Sequence, residues 1–374
     1  MRKIIGVILT VAMLVFVCCS CGEKKNDSVS VENSEYYSKF KDAGISINVY
    51  NWGEYIPDGS DESPDINAAF TELTGIEVNY TTYATNEELY AKLKAGAANY
   101  DIIIPSDYMI SRMIQEGMLE KLNYDNIPNY QNIMEKFKRP EYDETAEYTV
   151  PYTWGTVGII YNTDMVDIPK EDIDWDTLWN PEYKDNILMF DNPRDAFAIA
   201  QKLLGYSLNT ESRDELRASA DKLKEQKPLV QAYVMDEIFD KMGAGEAAFA
   251  PYYAGDAVTM MEDYDNLDFV MPKSGVNLFV DAMCIPKGAQ NKEAAEMYIN
   301  FMCEPDVSLA VADYIGYSTP NIKAFDMLDE DIKNNGISYP SDDFLENNTE
   351  VFRNLSNEMN KYMQDLWTEI KADK

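Results

Sequence analysis

Apolar strand patterns alternate with helix patterns in the first part of the chain, and this alternation restricts the possible folds more than any other feature. The predicted strands and helices are, in chain order, 45–52, 63–74, 76–80, 86–95, 100–105 and 109–116. Their order, β-α-β-α-β-α, indicates a parallel sheet with helices on both faces. Ligands of such sheets bind at the carboxyl ends of the strands, so the residues that follow each strand are candidates for a site.

A second α/β body is predicted to begin near residue 151. Its predicted strands and helices are, in chain order, 156–161, 175–179, 187–190, 247–253, 269–272, 279–286 and 291–302. Apolar residues spaced along 352–370 form a helical stripe, which predicts a terminal helix. The length of 374 residues is enough for two or three domains.

The chain is strongly acidic and contains no histidine. Its 66 Asp and Glu residues against 32 Lys and Arg residues give a formal net charge of −34. This charge argues against a nucleic-acid partner, because phosphate binding needs a basic face, and it favours a cationic ligand. The absence of histidine excludes Ser-His-Asp triads and histidine-ligated metals. Enzymes built on carboxylate pairs or on lysine stay open.

The N-terminus resembles the signal of a bacterial lipoprotein. A basic head precedes an apolar run that is shorter than the roughly 20 residues needed to span a bilayer. Cys21 is the predicted lipidation site, and Cys18 and Cys19 are alternatives. The prediction is therefore a signal peptide at 1–20 and a polar, flexible tether at 21–43.

The remaining cysteines, Cys284 and Cys303, each lie in an apolar stretch. Buried free thiols are therefore expected. A disulfide between them stays open, because an exported protein meets oxidising conditions and the sequence does not show whether the two residues are close.

Seven short motifs, in order and spacing, resemble those of bacterial polyamine receptors, the spermidine/putrescine-binding proteins of ATP-driven importers. The motifs are Asn51 to Pro57, Tyr90 to Lys94, Tyr100 to Ser106, Pro151 to Gly155, Leu178 to Lys184, Gly255 to Ala257 and Pro305 to Val307. The resemblance runs from about residue 47 to the C-terminus. It implies a two-lobed α/β fold of the type II periplasmic-binding-protein kind, with the ligand in a cleft between the lobes. The implied lobes are 44–152 with 279–322, and 153–278 with 323–374.

The resemblance also implies a set of ligand contacts. They are Trp52, Glu54, Tyr55, Ser106, Tyr108, Asn192, Asp195, Tyr253, Asp256, Phe279, Asp281, Tyr317 and Glu350. Tyr253 stands where the family usually has Trp, and Asn192 stands where an acid contacts spermidine in the family. Asp256 matches an acid of putrescine receptors. Together these three positions favour putrescine, the shorter amine, over spermidine as the ligand.

These residue types suit a polyamine, which is an aliphatic rod that carries several ammonium groups. Aromatic faces cover its methylene groups and attract its cations, by roughly 0.5–2 kcal/mol for each contact. Carboxylates such as those of Asp195, Asp256 and Asp281 can then hold the amines. A ligand ammonium offsets the unfavourable burial of each carboxylate, so we expect these acids to lose water only when the lobes close on a cation.

Several of these residues also have a purely structural interpretation. Asp195 lies near the start of a predicted helix, where its negative charge interacts favourably with the helix dipole. Asp256 follows a glycine and could belong to a turn or a cap. Ser106 could cap the next helix, and Glu54 could face solvent. Trp52 and Tyr55 could be ordinary core aromatics.

The sequence therefore predicts a receptor that performs no chemistry and delivers a polyamine to the membrane permease of an ABC importer. The expected protein is exported, monomeric and lipid-anchored, and it needs no cofactor or metal. Two alternatives stay open. One is a receptor of the same fold for another small ligand, and the other is an exported glycosidase that uses a carboxylate pair.

Overall fold

A sheet of ten strands runs through both halves of the molecule, in a computed structural model that describes residues 29–60, 63–96 and 99–372. The strands are β1 Ser46–Trp52, β2 Glu77–Tyr83, β3 Ile102–Ile103, β4 Thr149–Asn162, β5 Ile187–Phe190, β6 Val230–Val234, β7 Phe249–Tyr253, β8 Leu267–Val270, β9 Val276–Cys284 and β10 Thr349–Val351.

Helices cover the faces of this sheet. The α-helices are α1 Ser34–Tyr37, α2 Ile66–Thr74, α3 Asn86–Lys94, α4 Asp107–Gln115, α5 Pro193–Leu204, α6 Arg213–Gln226, α7 Glu237–Gly243, α8 Ala254–Asp263, α9 Lys292–Met302, α10 Pro305–Ile315, α11 Ile322–Met327, α12 Glu330–Lys333, α13 Asp342–Asn348 and α14 Asn357–Ala372. Short 3-10 helices lie at Ser38–Phe40, Tyr124–Asn126, Pro128–Asn132, Glu135–Phe137, Glu141–Asp143, Lys170–Asp172, Trp175–Trp179, Pro181–Tyr183 and Lys227–Leu229. Within the described ranges, no helix has both the length and the apolar character needed to cross a membrane.

The strand order is β2-β1-β3-β9-β4-β7-β5-β6, with β10 beside β9 and β8 beside β4. In the first lobe β1 lies parallel to β2 and β3, and in the second lobe β5 lies parallel to β6 and β7. The long strand β4 pairs with β9 up to Thr156 and with β7 from Val157 onwards. This strand therefore passes from one lobe to the other, which confirms the predicted two-lobed α/β fold.

The helix boundaries differ slightly from the sequence prediction. Helix α2 begins at Ile66 and not at 63, because the carboxylate of Asp65 accepts a hydrogen bond from the Ala68 backbone N–H and caps the first turn. Gly75 ends the helix in a left-handed conformation, as the sequence predicts. At the C-terminus, α14 begins at Asn357, so Phe352, the first residue of the predicted helical stripe, lies before the helix.

Residues 34–40, which the sequence assigns to a flexible tether, are instead helical and packed. The ring of Tyr37 is completely buried, and its hydroxyl donates a hydrogen bond of 2.7 Å to Glu304 Oε1. Asn300 Nδ2 donates in turn to the Tyr37 hydroxyl, at 2.8 Å. The tether prediction is wrong for this segment, because Tyr37 and the partly buried Tyr36 and Phe40 pack against the core of the first lobe. The predicted signal peptide and Cys18, Cys19 and Cys21 lie outside the described residues.

The assignment of residues 323 onwards to the second lobe also needs correction. Asn321 Nδ2, at the start of α11, donates to the Cys303 carbonyl at 2.9 Å, and Lys323 pairs with Glu32 at 2.6 Å. Helix α11 therefore packs with the first lobe. Helix α14 packs against α6, where Glu369 pairs with Arg217 at 3.0 Å.

Cys284 and Cys303 are both buried and free, which confirms the prediction for these two thiols. Burial raises the pKa of each thiol above its ordinary value. Both side chains therefore behave as small apolar core groups.

Candidate functional site

A cavity lies between the lobes, at the carboxyl ends of the strands. Its lining residues are Trp52, Gly53, Glu54, Tyr55, Ala84, Asn86, Ser106, Tyr108, Asp195, Met235, Asp236, Phe239, Tyr252, Tyr253, Asp256, Asn277, Phe279, Asp281, Tyr317 and Phe352. The structure thus brings together every predicted contact except Asn192 and Glu350. No lysine or arginine is among the described residues that line the cavity.

The first-lobe wall is held by hydrogen bonds from aromatic side chains. Trp52, at the end of β1, donates from its indole nitrogen to the Ile104 carbonyl at 2.9 Å and remains partly exposed to the cavity. Tyr55 is buried, and its hydroxyl donates to Asp281 Oδ2 at 2.7 Å. These bonds fix the orientation of both rings, and both rings line the cavity although Tyr55 is also part of the buried core.

Ser106 and Tyr108 lie at the junction of β3 and α4. Ser106 is the N-cap residue of α4, but its side chain makes no capping hydrogen bond; its hydroxyl accepts from Asn86 Nδ2 at 3.0 Å. The Tyr108 hydroxyl donates to Glu87 Oε1 at 3.1 Å. The capping interpretation of the Ser106 side chain is therefore wrong, since its hydroxyl is held beside the cavity by a neighbouring helix.

Asn277, Phe279 and Asp281 alternate along β9 and present one face to the cavity. Asp281 is only 4% exposed. Its Oδ2 accepts the hydrogen bond from Tyr55, whereas its Oδ1 is buried and has no partner in the described part of the chain. Burial raises the pKa of Asp281 to about 6, and hydrogen bonding from Ser106 and then from Tyr55 partly opposes this rise.

In the second lobe, Asp195 lies in the first turn of α5. Tyr253 donates to its Oδ2 at 2.9 Å, and Asn192 Nδ2 donates to the same oxygen. Burial raises the pKa of Asp195 to about 6, although these two hydrogen bonds favour the ionised form. The carboxylate therefore lines the cavity and also lies at the N-terminus of α5, where its negative charge interacts favourably with the helix dipole.

Asn192 does not line the cavity, contrary to the sequence prediction. It caps α5, and its Oδ1 accepts from the backbone N–H groups of Arg194 at 2.9 Å and Asp195 at 3.2 Å. The amide therefore positions Asp195 and does not itself face the space between the lobes. The adjacent residue, Asp191, forms an ion pair with Lys371 at 2.7 Å.

Asp256 lies in the first turn of α8, and Tyr317 of the first lobe donates to its Oδ2 at 2.9 Å. Burial raises the pKa of Asp256 to about 8. The hydrogen bond from Tyr317 opposes this rise, and the negative charges of Asp236 and Glu54 add to it. Glu54 itself is exposed at the rim of the cavity. This end of the cavity thus collects negative charge from both lobes.

Aromatic rings enclose the space between these carboxylates. The ring of Phe279 lies 5.4 Å from Tyr253 and 5.9 Å from Tyr317, between centroids. Tyr55 meets Tyr317 edge-on at 5.2 Å. The walls are therefore apolar and electron-rich, and the charged groups lie at separate points along them.

Glu350 also lies outside the cavity. Its carboxylate pairs with Lys202 at 2.7 Å, accepts from the Leu208 backbone N–H at 3.1 Å, and is bonded by Ser207 and Asn209. These bonds lower its pKa and stabilise the junction of β10 with the second lobe.

Several lining residues were not predicted from the sequence. They are Gly53, Ala84, Asn86, Met235, Asp236, Phe239, Tyr252, Asn277 and Phe352. Asp236 follows β6, a strand that was not recognised. If β6 had been predicted, the position of Asp236 after its carboxyl end would have made this residue a candidate for the site. Asn277 shares the alternation of Phe279 and Asp281 and could have been found from it.

A two-lobed α/β fold with a cavity between the lobes is typical of receptors that close around a solute. The chain belongs to the bacterial extracellular solute-binding protein family, whose sequence model matches residues 97–348. Proteins similar to it serve transporters as substrate-binding components, and the chain is likewise a receptor and not an enzyme.

Individual relatives extend this result over most of the chain. The spermidine/putrescine-binding periplasmic protein of Escherichia coli is 37% identical over 309 residues, covering 82% of this chain and 86% of its own length. The putrescine-binding periplasmic protein SpuD of Pseudomonas aeruginosa is 31% identical, covering 88% and 92%. A solved structure from Listeria monocytogenes, provisionally described as a spermidine/putrescine ABC transporter, has a TM-score of 0.82 at 38% identity, covering 87% and 99%.

Proposed function

We propose that this chain captures a polyamine, putrescine or spermidine, outside the cytoplasm and delivers it to the permease of an ABC importer. The observation that supports this most strongly is the combination of three carboxylates and an aromatic wall. Asp195, Asp256 and Asp281 line one cavity, and no lysine or arginine is among its described lining residues. A ligand must therefore supply the positive charge.

The shape of the cavity favours a thin, flexible cation over a compact one. Phe279 and the tyrosine rings around it separate the carboxylates, so a bound ligand must place apolar groups against rings and charged groups at intervals. A chain of methylene groups between ammonium groups meets both needs. The pKa of each carboxyl group is raised by burial, so binding of a cation relieves an unfavourable state already present in the protein.

The named relatives support the same ligand class. The Escherichia coli protein is named for spermidine and putrescine, and the Pseudomonas aeruginosa protein for putrescine. The permease partner follows from the ABC transporter description of the Listeria monocytogenes structure. For the location, we propose a monomer attached to the outer face of the cytoplasmic membrane through a lipid on Cys21.

Calorimetric titration of the chain with putrescine and spermidine tests the proposal. The protein is first unfolded and refolded to remove carried ligand, and 1,4-butanediol serves as an uncharged analogue of putrescine. We expect saturable one-to-one binding of at least one amine and no binding of the diol. Asp281→Asn should weaken amine binding by about tenfold or more, since a hydrogen bond to a charged group contributes about 1.5–3 kcal/mol.

The matched control is Asp342→Asn, which neutralises an exposed carboxylate on α13. This variant should bind like the parent protein. If folded parent protein binds neither amine, the polyamine proposal is wrong, and a screen of other small ligands of the same fold becomes the next step.

A further inference from the structure

Asp236, which follows β6 in the second lobe, borders two spaces. It lines the cavity, and it also lines a larger groove outside it, which is formed by α7 and α8 on one side and by α10 on the other. Glu54 of the first lobe and Asp256 of the second lobe border both spaces as well. No lysine or arginine lines the groove in the described part of the chain. These three carboxylates therefore mark an acidic mouth of the cavity, to which both lobes contribute.

The carboxylate of Asp236 reaches across the mouth to the main chain of the first lobe. A Cβ atom at Gly53 would lie 2.9 Å from Asp236 Oδ2 and 3.9 Å from its Cγ, and it would meet no other atom within 4 Å apart from those of its chain neighbours. The φ angle of Gly53 is not in the left-handed region, so its backbone also suits alanine. What glycine provides at this position is therefore the room that the carboxylate occupies.

The charge of Asp236 is not neutralised by the described part of the chain. Partial burial and the negative charge of Glu237 raise the pKa of Asp236, and hydrogen bonding from Tyr252 opposes this rise. Asp236 precedes α7, but its side chain makes no capping hydrogen bond there. The residue is exposed overall, in contrast to the buried Asp195 and Asp281. Its carboxylate is thus accessible to a ligand at the mouth and has no evident structural task.

We propose that Asp236 is a further ligand contact that, with Asp256 and Glu54, binds an ammonium group of the ligand at the mouth of the cavity. Gly53 is a positioning residue, because its lack of a side chain admits the carboxylate. The inference rests on the proposed polyamine function and deepens it. Carboxylates from two lobes repel one another unless a cation lies among them. An ammonium group has three N–H donors, so it can bond to acceptors on both lobes at once and favour their closure.

The test is calorimetric titration of the parent protein, Asp236→Ala, Gly53→Ala and the double variant with putrescine and spermidine. Asp236→Ala should weaken binding of the preferred amine by about fivefold, less than Asp281→Asn, because an ion pair that water can reach contributes less than a buried one. Gly53→Ala should weaken binding by about twofold to fivefold, since its methyl group displaces the carboxylate. In the Asp236→Ala background the same methyl group should have no effect, because it then meets no atom outside its chain neighbours.

The matched control is Asp240→Ala, because Asp240 is an exposed carboxylate of α7 that lines the groove and not the cavity. This variant should bind within about twofold of the parent protein. Equal weakening by Asp236→Ala and Asp240→Ala would mean that only long-range charge matters, and this result would overturn the inference. Unchanged binding by Asp236→Ala would overturn it too, as would an effect of Gly53→Ala that is the same with and without Asp236. If the parent protein binds neither amine, the proposed function fails as well; if it binds an amine and only the variants contradict the expectation, the proposed function stands.

Discussion

Tyr317 of the first lobe donates a hydrogen bond of 2.9 Å to the carboxylate of Asp256 in the second lobe. This bond connects the lobes directly at the wall of the cavity. The residue before Asp256 is Gly255, and a Cβ atom there would lie 1.9 Å from the ring of Tyr317. Glycine is therefore required for the close approach of α8 to the tyrosine, and through it for the position of the carboxylate.

Gly255→Ala should weaken binding of putrescine by about tenfold, because the methyl group displaces Tyr317 and removes a charge-assisted hydrogen bond from Asp256. The measurement is calorimetric titration. Gly336→Ala is the control, since a Cβ atom at Gly336 meets nothing within 4 Å. Equal affinities of the two variants would show that the contact does not contribute to binding.

Asp256→Ala should weaken binding of putrescine by about tenfold or more, since the ammonium group loses a carboxylate partner. A titration of this variant and of the control Asp342→Asn tests the expectation. The preference for putrescine over spermidine that Tyr253, Asp256 and Asn192 suggest depends on this result. Putrescine affinity that is unchanged in Asp256→Ala would contradict it.

Polyamine affinity should increase as the pH rises from about 5 to about 8.5. Burial raises the pKa of Asp195 and Asp281 to about 6 and that of Asp256 to about 8, so the protein holds protons on these groups at low pH. A cationic ligand favours the ionised carboxylates and therefore releases those protons. Titration in buffers with different ionisation enthalpies counts the protons released.

The control for this pH dependence is Asp256→Asn. The variant should release fewer protons than the parent protein near pH 7, because the group with the highest of the three pKa values is no longer titratable. An affinity that is constant over this pH range in the parent protein would mean that the carboxyl groups are already ionised before the ligand binds.

Tyr37→Ala should lower the free energy of unfolding by about 3–5 kcal/mol, as expected for loss of a completely buried aromatic ring. The substitution also removes a donor from Glu304, which is 1% exposed. Urea denaturation measures the change. Ser34→Ala, at an exposed position of the same short helix, should have little effect. A small loss for Tyr37→Ala would mean that residues 34–40 detach easily and behave as the tether that the sequence suggests.

Much of the cavity could be predicted from the family resemblance, and several of the predicted residues also lie at strand ends or alternate along one strand. Trp52 lies at the end of β1, and Phe279 and Asp281 alternate along β9. Asn277 obeys the same alternation, but the sequence gives no sign that its oxygen is buried without a donor. Family motifs located Asn192 and Glu350 near the site, yet they did not show which way the two side chains face.

The sequence by itself determined the succession of strands and helices, the acidic character of the chain and the residue types available to hold a cation. These properties depend on local periodicity and composition, which a single stretch of chain carries. Tertiary structure decided which acids face the cavity. Asp281 lies on its wall beside Tyr55, whereas Glu350 is neutralised by Lys202. Burial and pairing depend on groups more than a hundred positions away along the chain, and only the packed lobes bring those groups together.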